Sequence, residues 1–394
     1  MKKPPGYGHT YTDREEDENM SNVLHAGLVG CGSLAQRGPL PHLSLPDAQE
    51  KVRLVAVVDT VAERARQSAE RFNVPAWFTS IDEMLAKSDL DVVLILTPIP
   101  YHYANAMAAI EAGKHVYVQK AMTTTLAEAD ALLAARDHKA IKLAAAPGFE
   151  LFPATGHMRQ LVNDGVLGRI SVGFTYTWGF GHEFESIRAG QGELAAIDPT
   201  WYYRPGAGPL PDVTVYGFQL ATSILGSVTR VTALANKTAE TRTWQGKTMK
   251  IETPDNNLVL MEFASGALVT AVGANLRGSP RIPWGGLGLY GTEGVLEVLD
   301  VDGASGYPLV FDVQGRHMKE TVSYQLADQP YLTGEHLTIE EPHTYCDIMD
   351  LVDAIVEGRP SRSPGEQARH VVEIIEKAQL AATTGQAQLL SSRC

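Results

Sequence analysis

Four sets of residues have types and spacings that could do chemistry. The first is Gly30-Cys31-Gly32-Ser33-Leu34-Ala35, a Gly-x-Gly-x-x-Ala turn that directly follows the apolar residues Leu24, Ala26, Leu28 and Val29. The first glycine permits a tight turn, the second lets backbone approach a pyrophosphate, and a small third residue lets helix and strand pack closely. Phosphate would rest on amides at the helix start, where unpaired N–H groups and the helix dipole favour negative charge. The second is Asp59, which closes the apolar run Leu54-Val55-Ala56-Val57-Val58. Such an acid accepts ribose hydroxyls and repels a 2′-phosphate. Thr60 and Val61 follow it rather than a cation, so turn and acid together predict NAD in preference to NADP. The third is Lys120, just beyond the apolar run His115-Val116-Tyr117-Val118. The fourth is the pair Asp212 and Tyr216, which at i, i+4 share one helix face and could point at one carbon. Taking a proton from a secondary hydroxyl as hydride leaves needs a base, and the reverse reaction needs an acid. A free phenol, with a pKa of ~10, is a poor base at neutral pH, and a neighbouring ammonium such as Lys120 would lower it. The plainer alternatives are a solvated lysine, a helix N-cap at Asp212 and a tyrosine at a domain interface.

These residues need rigid elements behind them. Leu24 to Val29 and Leu54 to Val58 read as strands. Asp91-Val92-Val93-Leu94-Ile95-Leu96 is an apolar run of the kind buried in parallel sheets. Thr97 and Pro98 follow at its carboxyl end, where ligands of such sheets bind, so the loop from Thr97 to Tyr101 is placed to touch the cofactor. Helical stretches at Thr60 to Phe72, Ile81 to Lys87, Tyr101 to Ala112 and Leu126 to Arg136 alternate with strands, the last at Ile141 to Ala145. That alternation predicts a right-handed parallel sheet. Pro39 and Pro41 interrupt the first helix, so it is short or begins beyond Pro41. From Pro147 the texture changes to alternating strands: Ile170 to Trp178, a hairpin Asn257 to Phe263 with Ala267 to Ala274, and another at Leu287 to Tyr290 with Val295 to Leu299. One helix, Val213 to Leu225, interrupts them, and a pair at Pro342 to Glu357 and Gly365 to Thr384 ends the chain. The fold class is therefore α/β, a Rossmann dinucleotide-binding domain followed by an α+β domain of antiparallel strands; that these make a large, mostly antiparallel open sheet is what the family resemblance given below implies. The division is 1–21 as a disordered tail, 22–146 as the NAD-binding domain and 147–394 as a substrate-binding and oligomerisation domain.

Composition narrows the partners. A net charge of -13 over 394 residues, with no cluster of Lys and Arg, argues against a nucleic-acid partner. No membrane-spanning stretch or apolar leader is present, and Met1 to Asn19 are polar and acidic. Cys31, Cys346 and Cys394 are distant and odd in number, which fits a reducing, cytoplasmic setting. His343 and Cys346 lack a matching second pair, so no metal site is expected.

Gly30 to Ala35, Thr97-Pro98 with His102, Ala112-Gly113-Lys114-His115-Val116 running into Gln119-Lys120, and Gly206-Ala207-Gly208-Pro209-Leu210-Pro211-Asp212 followed by Tyr216 together resemble the glucose-fructose oxidoreductase, inositol dehydrogenase and rhizopine-catabolism family, Gfo/Idh/MocA. The resemblance runs from about Leu24 to about Leu389 in the family's order. It implies nicotinamide-dependent oxidation or reduction of a sugar, glycoside, cyclitol or related polyol. In the family's Glu-Lys-Pro motif the lysine is central, and here it matches Lys120, with Gln119 for Glu and Ala121 for Pro. The family's later Asp, His, Asp set is matched by Asp212, with Tyr216 for the His and Gln219 for the last acid. The resemblance thus implies Lys120, Asp212 and Tyr216 as catalytic residues. It implies Gly30, Cys31, Gly32, Ser33, Leu34, Asp59, Thr97, Pro98, His102 and Lys120 around the cofactor. His182 and Glu183, and the run Trp201-Tyr202-Tyr203-Arg204 with Tyr203 and Arg204, are candidates for contact with substrate. A homodimer or homotetramer is expected. Two further readings stay open: an NAD-retaining, redox-neutral enzyme that cleaves or epimerises glycosides, and a non-catalytic nucleotide or sugar sensor.

Overall fold

The computed structural model describes residues 23–179, 181–190, 192, 196–275, 283–301 and 307–394. The expected tail at 1–21 lies outside these residues, as do Phe180 and the Gly-rich stretch up to 282.

Six strands, β1 (Leu24–Val29), β2 (Val52–Val58), β3 (Ala76–Phe78), β4 (Val92–Ile95), β5 (His115–Val118) and β6 (Leu143–Ala145), form one parallel sheet in the order β3-β2-β1-β4-β5-β6. The strand β3 has only three residues, too few for a two-faced run that would announce a strand in the sequence. Strand order reverses between β1 and β4, which opens the crevice where ligands of such sheets bind. The prolines act as expected: a helix over Ser33–Arg37 stops at Gly38, and Pro39–Leu43 begins a second one. A side chain at Gly38 would sit 2.6 Å from the Glu341 Cβ, so this break lets a distant acid approach the glycine turn.

The second part of the chain adds β7 (Ile170–Gly179), β8 (Val228–Asn236), β9 (Thr241–Trp244), β10 (Lys247–Lys250), β11 (Asn256–Phe263), β12 (Leu268–Asn275), β13 (Gly286–Gly291), β14 (Val295–Val301), β15 (Pro308–Gly315), β16 (Met318–Ser323) and β17 (Gln388–Leu389). Nine of these make a sheet ordered β16-β15-β14-β13-β7-β12-β11-β8-β17, while β9 and β10 form a separate hairpin. Every pairing in the large sheet is antiparallel except β7 with β12, which run parallel, so the sheet is mixed. One face packs on helices Pro153–Asn163, Val215–Leu225 and Gly365–Thr384. The other leaves Val172, Leu234, Leu258, Leu260 and Leu268 exposed.

The two sheets share structure. Helix Gly365–Thr384 packs on both β8 and the first-domain helix Leu126–Lys139, and the Ala145 N–H donates to the Ser363 carbonyl at 3.0 Å. The end of the chain thus returns to cover the edge of the first sheet.

Candidate active site

A cavity of about 1350 Å³ runs from the β1 turn to the floor of the large sheet. This exceeds the ~300–1,000 Å³ usual for a single drug-sized ligand, and suits a dinucleotide with a second molecule. At one end stands the glycine turn. Gly30 has φ +101°, and a Cβ there would lie 2.7 Å from the Leu96 carbonyl oxygen, so only glycine lets β1 end against β4. Gly32 is the opposite case: a Cβ there would meet nothing within 4 Å, because its Cα faces open space where a pyrophosphate would lie. Gly30, Gly32, Ser33, Leu34, Asp59, Thr97 and Pro98 all line the cavity. When bound, the dinucleotide supplies a hydride acceptor or donor.

Cys31 does not line it. Its thiol is buried and pushed up to about 12 by that burial, and its N–H already donates to the Asp59 Oδ2 at 3.1 Å. Asp59 also accepts from the Val61 N–H at 2.9 Å and from the Arg64 guanidinium at 3.1 and 3.3 Å. Thr60 and Val61 do follow Asp59, but a cation reaches it from farther along the chain: helix Ala62–Arg71 carries Arg64 back beside it, one turn in. A ribose hydroxyl that reaches Asp59 must take a place that Arg64 holds. The expectation for His102 is corrected. It is buried outside the cavity, with Nδ1 2.8 Å from the Ala121 carbonyl and Nε2 2.7 Å from that of Thr97. Those two acceptors favour an imidazolium, but burial opposes it more strongly and pushes the ring down to about 4. The ring is a strut that ties the two loops after β4 and β5 together.

At the other end the cavity meets Lys120. The Lys120 Nζ lies 3.3 Å from the Asp212 Oδ1, a contact between residues 92 apart in sequence. Asp212 enters from a π-helical turn, Leu210–Thr214, that runs straight into helix Val215–Leu225. The carboxylate makes no cap bond, so the N-cap alternative falls away. Such π turns are rare and concentrate at functional sites. This helix lies flush on the sheet because two glycines make room: a Cβ at Gly273 would sit 1.7 Å from the Thr214 Oγ1, and one at Gly217 2.7 Å from the Thr175 Oγ1. The seating directs Asp212 and Tyr216 into the cavity.

The second Asp212 oxygen faces His182 Nε2 at 2.9 Å, and the other ring nitrogen of His182 meets Glu185 at 2.5 Å. Glu185 in turn accepts from the Arg188 Nε at 3.0 Å. Burial alone would lower the His182 pKa, but Glu185 and Asp212 push it up to about 9. Burial alone would raise Asp212, yet Lys120 and His182 hold it down at about 2. Lys120 is raised despite its burial, by Asp212 first. The corner is thus an alternating chain of charges, Lys120, Asp212, His182, Glu185 and Arg188. Tyr216 stands beside it with its ring 5.6 Å from the Lys120 ammonium. Its phenol is not lowered: burial raises it above the ordinary value, and Lys120 offsets only part. Gln119, which stands for the family's Glu, is turned away from the ammonium. It donates to the Tyr117 hydroxyl at 2.9 Å and to the Thr344 Oγ1 at 3.2 Å.

The candidates for substrate contact divide. His182, Trp201 and Tyr202 line the cavity, along with Trp178 and Trp284. Tyr203 does not: it is buried in a satellite cluster with Met249 and Ile251, and its hydroxyl donates to Glu183. Glu183 is held by that contact and by Arg242 at 3.1 Å, and Arg204 is exposed outside the cavity. Alternation explains the difference, since neighbours in the 3₁₀ turn Pro199–Tyr203 point to different sides. Sequence reasoning passed over Arg64, Glu185, Glu341 and, as anything but a metal ligand, His343; the acids Glu340 and Glu341 before Pro342 were the available signal. Among the described residues no group of His, Cys, Asp and Glu could hold a metal ion, and no helix is long and apolar enough to cross a membrane.

The family model for an oxidoreductase family with an NAD-binding Rossmann fold, GFO_IDH_MocA, matches residues 24–146, and that for the GFO/IDH/MocA C-terminal domain matches 155–297. The chain is 30% identical over 227 residues to the dTDP-3,4-didehydro-2,6-dideoxy-alpha-D-glucose 3-reductase of Streptomyces violaceoruber, which covers 57% of this chain and 58% of that protein. It is 25% identical over 300 residues to the levoglucosan dehydrogenase of Pseudarthrobacter phenanthrenivorans, covering 69% and 72%. The match thus spans a little over half the length of the Streptomyces reductase. In fold it is similar to levoglucosan dehydrogenase solved with NADH and L-sorbose, with a TM-score of 0.77 at 21% identity over 94% of this chain and 99% of that one. With both domain models matched in order along one crevice, the chain belongs to the Gfo/Idh/MocA oxidoreductase family, and its first domain binds NAD.

Proposed function

We propose that this protein is an NAD-dependent oxidoreductase that moves hydride to or from a secondary hydroxyl carbon of a sugar, glycoside or cyclitol. The observation that carries the reading is the Lys120 to Asp212 pair at 3.3 Å, set in the cavity of the NAD-binding crevice with Tyr216 and His182 beside it. Lys120 stays charged and donates to the reacting oxygen, which stabilises negative charge as it develops there. Asp212 holds the ammonium in place from behind. Tyr216 is a phenol and His182 an imidazolium at neutral pH, so both can give a proton to a carbonyl and take one back as the reaction reverses. Trp178, Trp201 and Tyr202 offer flat faces to the C–H side of a sugar ring. The names of relatives, a sugar-nucleotide reductase, levoglucosan dehydrogenase and D-apiose dehydrogenase, support a carbohydrate substrate.

The test is NADH formation by the purified protein against hexoses, glycosides, inositols and sugar acids, with product measured alongside. NADH equal to product supports the reading. Product without NADH would replace it with a redox-neutral cycle, and no turnover in either direction would leave a binding protein. We further infer a cytoplasmic setting, supported by three cysteines, Cys31, Cys346 and Cys394, that lie far apart in the sequence and are odd in number, unlike a disulfide framework. A homodimer through the large sheet is supported by the exposed leucines on its outer face.

A further inference from the structure

Beyond the charged corner, Tyr216 has a second neighbour that the mechanism above does not use. Its hydroxyl lies 3.3 Å from the Nε2 of His343, the second residue of helix Pro342–Glu357 and fully buried. The other ring nitrogen, Nδ1, lies 3.6 Å from the Glu341 Oε2, and Glu341 is paired with Arg37 at 2.9 Å. Glu341 and Arg37 both line the cavity beside the cofactor turn. Resting on the reading of Tyr216 as a proton-transfer residue, we propose that His343 is its positioning residue: it accepts the phenol proton at Nε2 and passes the resulting charge toward Glu341.

The tautomer follows from the partners. The Glu341 Oε2 at 3.6 Å is an electrostatic neighbour of Nδ1 rather than a hydrogen-bond partner; burial raises its carboxyl, while Arg37 and Lys120 favour the ionised form, and that charge favours the ring proton on Nδ1, which leaves Nε2 as an acceptor. Two hydroxyls reach that nitrogen, those of Tyr216 and Thr344, both at 3.3 Å. Thr344 already accepts from the Gln119 amide, so its own proton is also free to point at Nε2. The Tyr216 oxygen then keeps its lone pairs for the cavity. In alcohol oxidation the substrate O–H bond breaks and its proton joins the Tyr216 oxygen. At the same time the phenol O–H bond breaks and its proton forms an N–H bond at His343 Nε2. The electron pair of the substrate C–H bond would leave as hydride, the acceptor being the chemistry that bound NAD would supply. Reduction runs the same protons backward.

The surroundings set how firmly His343 rests in the neutral form. Burial pushes its pKa well down, and Lys120, Arg37 and His42 push it further. Tyr216, Tyr307, Thr344 and Glu341 are among the described groups that face it. The imidazolium is therefore a transient species, and the Glu341 carboxylate is the group that offsets its charge.

The test begins with the wild-type protein bound to NADH, labelled with ¹⁵N-histidine, the His343 signal being assigned by its loss in His343→Gln. At pH 7 the expected spectrum shows a neutral ring protonated at Nδ1, with an Nε2 signal that moves toward the free-acceptor position in Tyr216→Phe. A ring protonated at Nε2, or an imidazolium at this pH, overturns the proposal before any rate is compared. Kinetics with the fastest polyol from the substrate screen follow. His343→Gln, which can accept a hydrogen bond but not a proton, should lower kcat about 10²-fold with NADH affinity unchanged. It should cost nothing further in a Tyr216→Phe background, since both act on one proton path. Additive losses overturn the role of His343 and leave Tyr216 in place. A Tyr216→Phe enzyme with full turnover removes the tyrosine itself, and the relay with it.

Discussion

Replacing Glu185 by Gln perturbs the charged corner at one point. His182 lies between Asp212 at 2.9 Å and Glu185 at 2.5 Å, with its side chain only 20% exposed. Its rise from 6.5 to about 9 is net of a burial effect that pulls the other way. At ~1.4 kcal/mol per tenfold change, that rise corresponds to roughly 3 kcal/mol of preference for the imidazolium. Removing one of the two carboxylates while burial stays should take away more than half of it, so His182 in Glu185→Gln should titrate at least tenfold more readily, near or below pH 8. The same numbers give a stability curve. Because the folded value is raised, the contribution is complete below pH 6.5 and is lost as pH climbs through about 9. Wild-type protein should thus lose on the order of 3 kcal/mol over that window relative to His182→Asn, and Glu185→Gln should lose much less. The assay is ¹H–¹³C NMR of the histidine Cε1 signals from pH 5.5 to ~10.5, with His182→Asn for assignment, alongside urea unfolding at each end of the range. A wild-type midpoint at the ordinary ~6.5, or a midpoint that does not move in Glu185→Gln, would refute the arrangement of charges described here.

The two cofactor glycines should behave differently. Gly30→Ala places a Cβ 2.7 Å from a backbone oxygen at φ +101° and should lower thermal stability, the left-handed backbone alone costing ~1–3 kcal/mol. Gly32→Ala should fold normally yet bind NADH at least tenfold more weakly by fluorescence titration, because its Cβ enters only the open cradle. Lys120→Ala and Tyr216→Phe should each lower kcat by about 10² while leaving the NADH dissociation constant nearly unchanged; wild-type turnover in either removes that residue from the chemistry. NADH should bind better than NADPH, and Arg64→Ala should weaken NADPH more than NADH, since the guanidinium beside Asp59 is the cation placed to meet a 2′-phosphate. Leu258→Glu with Leu260→Glu, on the exposed sheet face, should convert a dimer to a monomer by light scattering; an unchanged mass would place the interface elsewhere.

Much of the architecture was legible in the chain because it depends on local chemistry. A positive φ at Gly30, the acid closing β2, the uninterrupted apolar run of β4 and the prolines at 39 and 41 each act within a few residues, so periodicity and turn composition reveal them. Lys120 at a carboxyl edge and Asp212 with Tyr216 one turn apart follow from the same rules. What the local pattern cannot carry is which polar groups meet. Lys120 and Asp212 are 92 residues apart, Tyr216 and His343 are 127 apart, and both pairs depend on how closely one helix settles on a sheet. That approach is decided by Gly217 and Gly273, whose missing side chains matter only once β7 and β12 lie beneath the helix. The same holds for charge. Sequence places an ammonium near a phenol and so favours phenolate, but complete burial raises the phenol by more than the ammonium lowers it, and only the packed structure sets that balance.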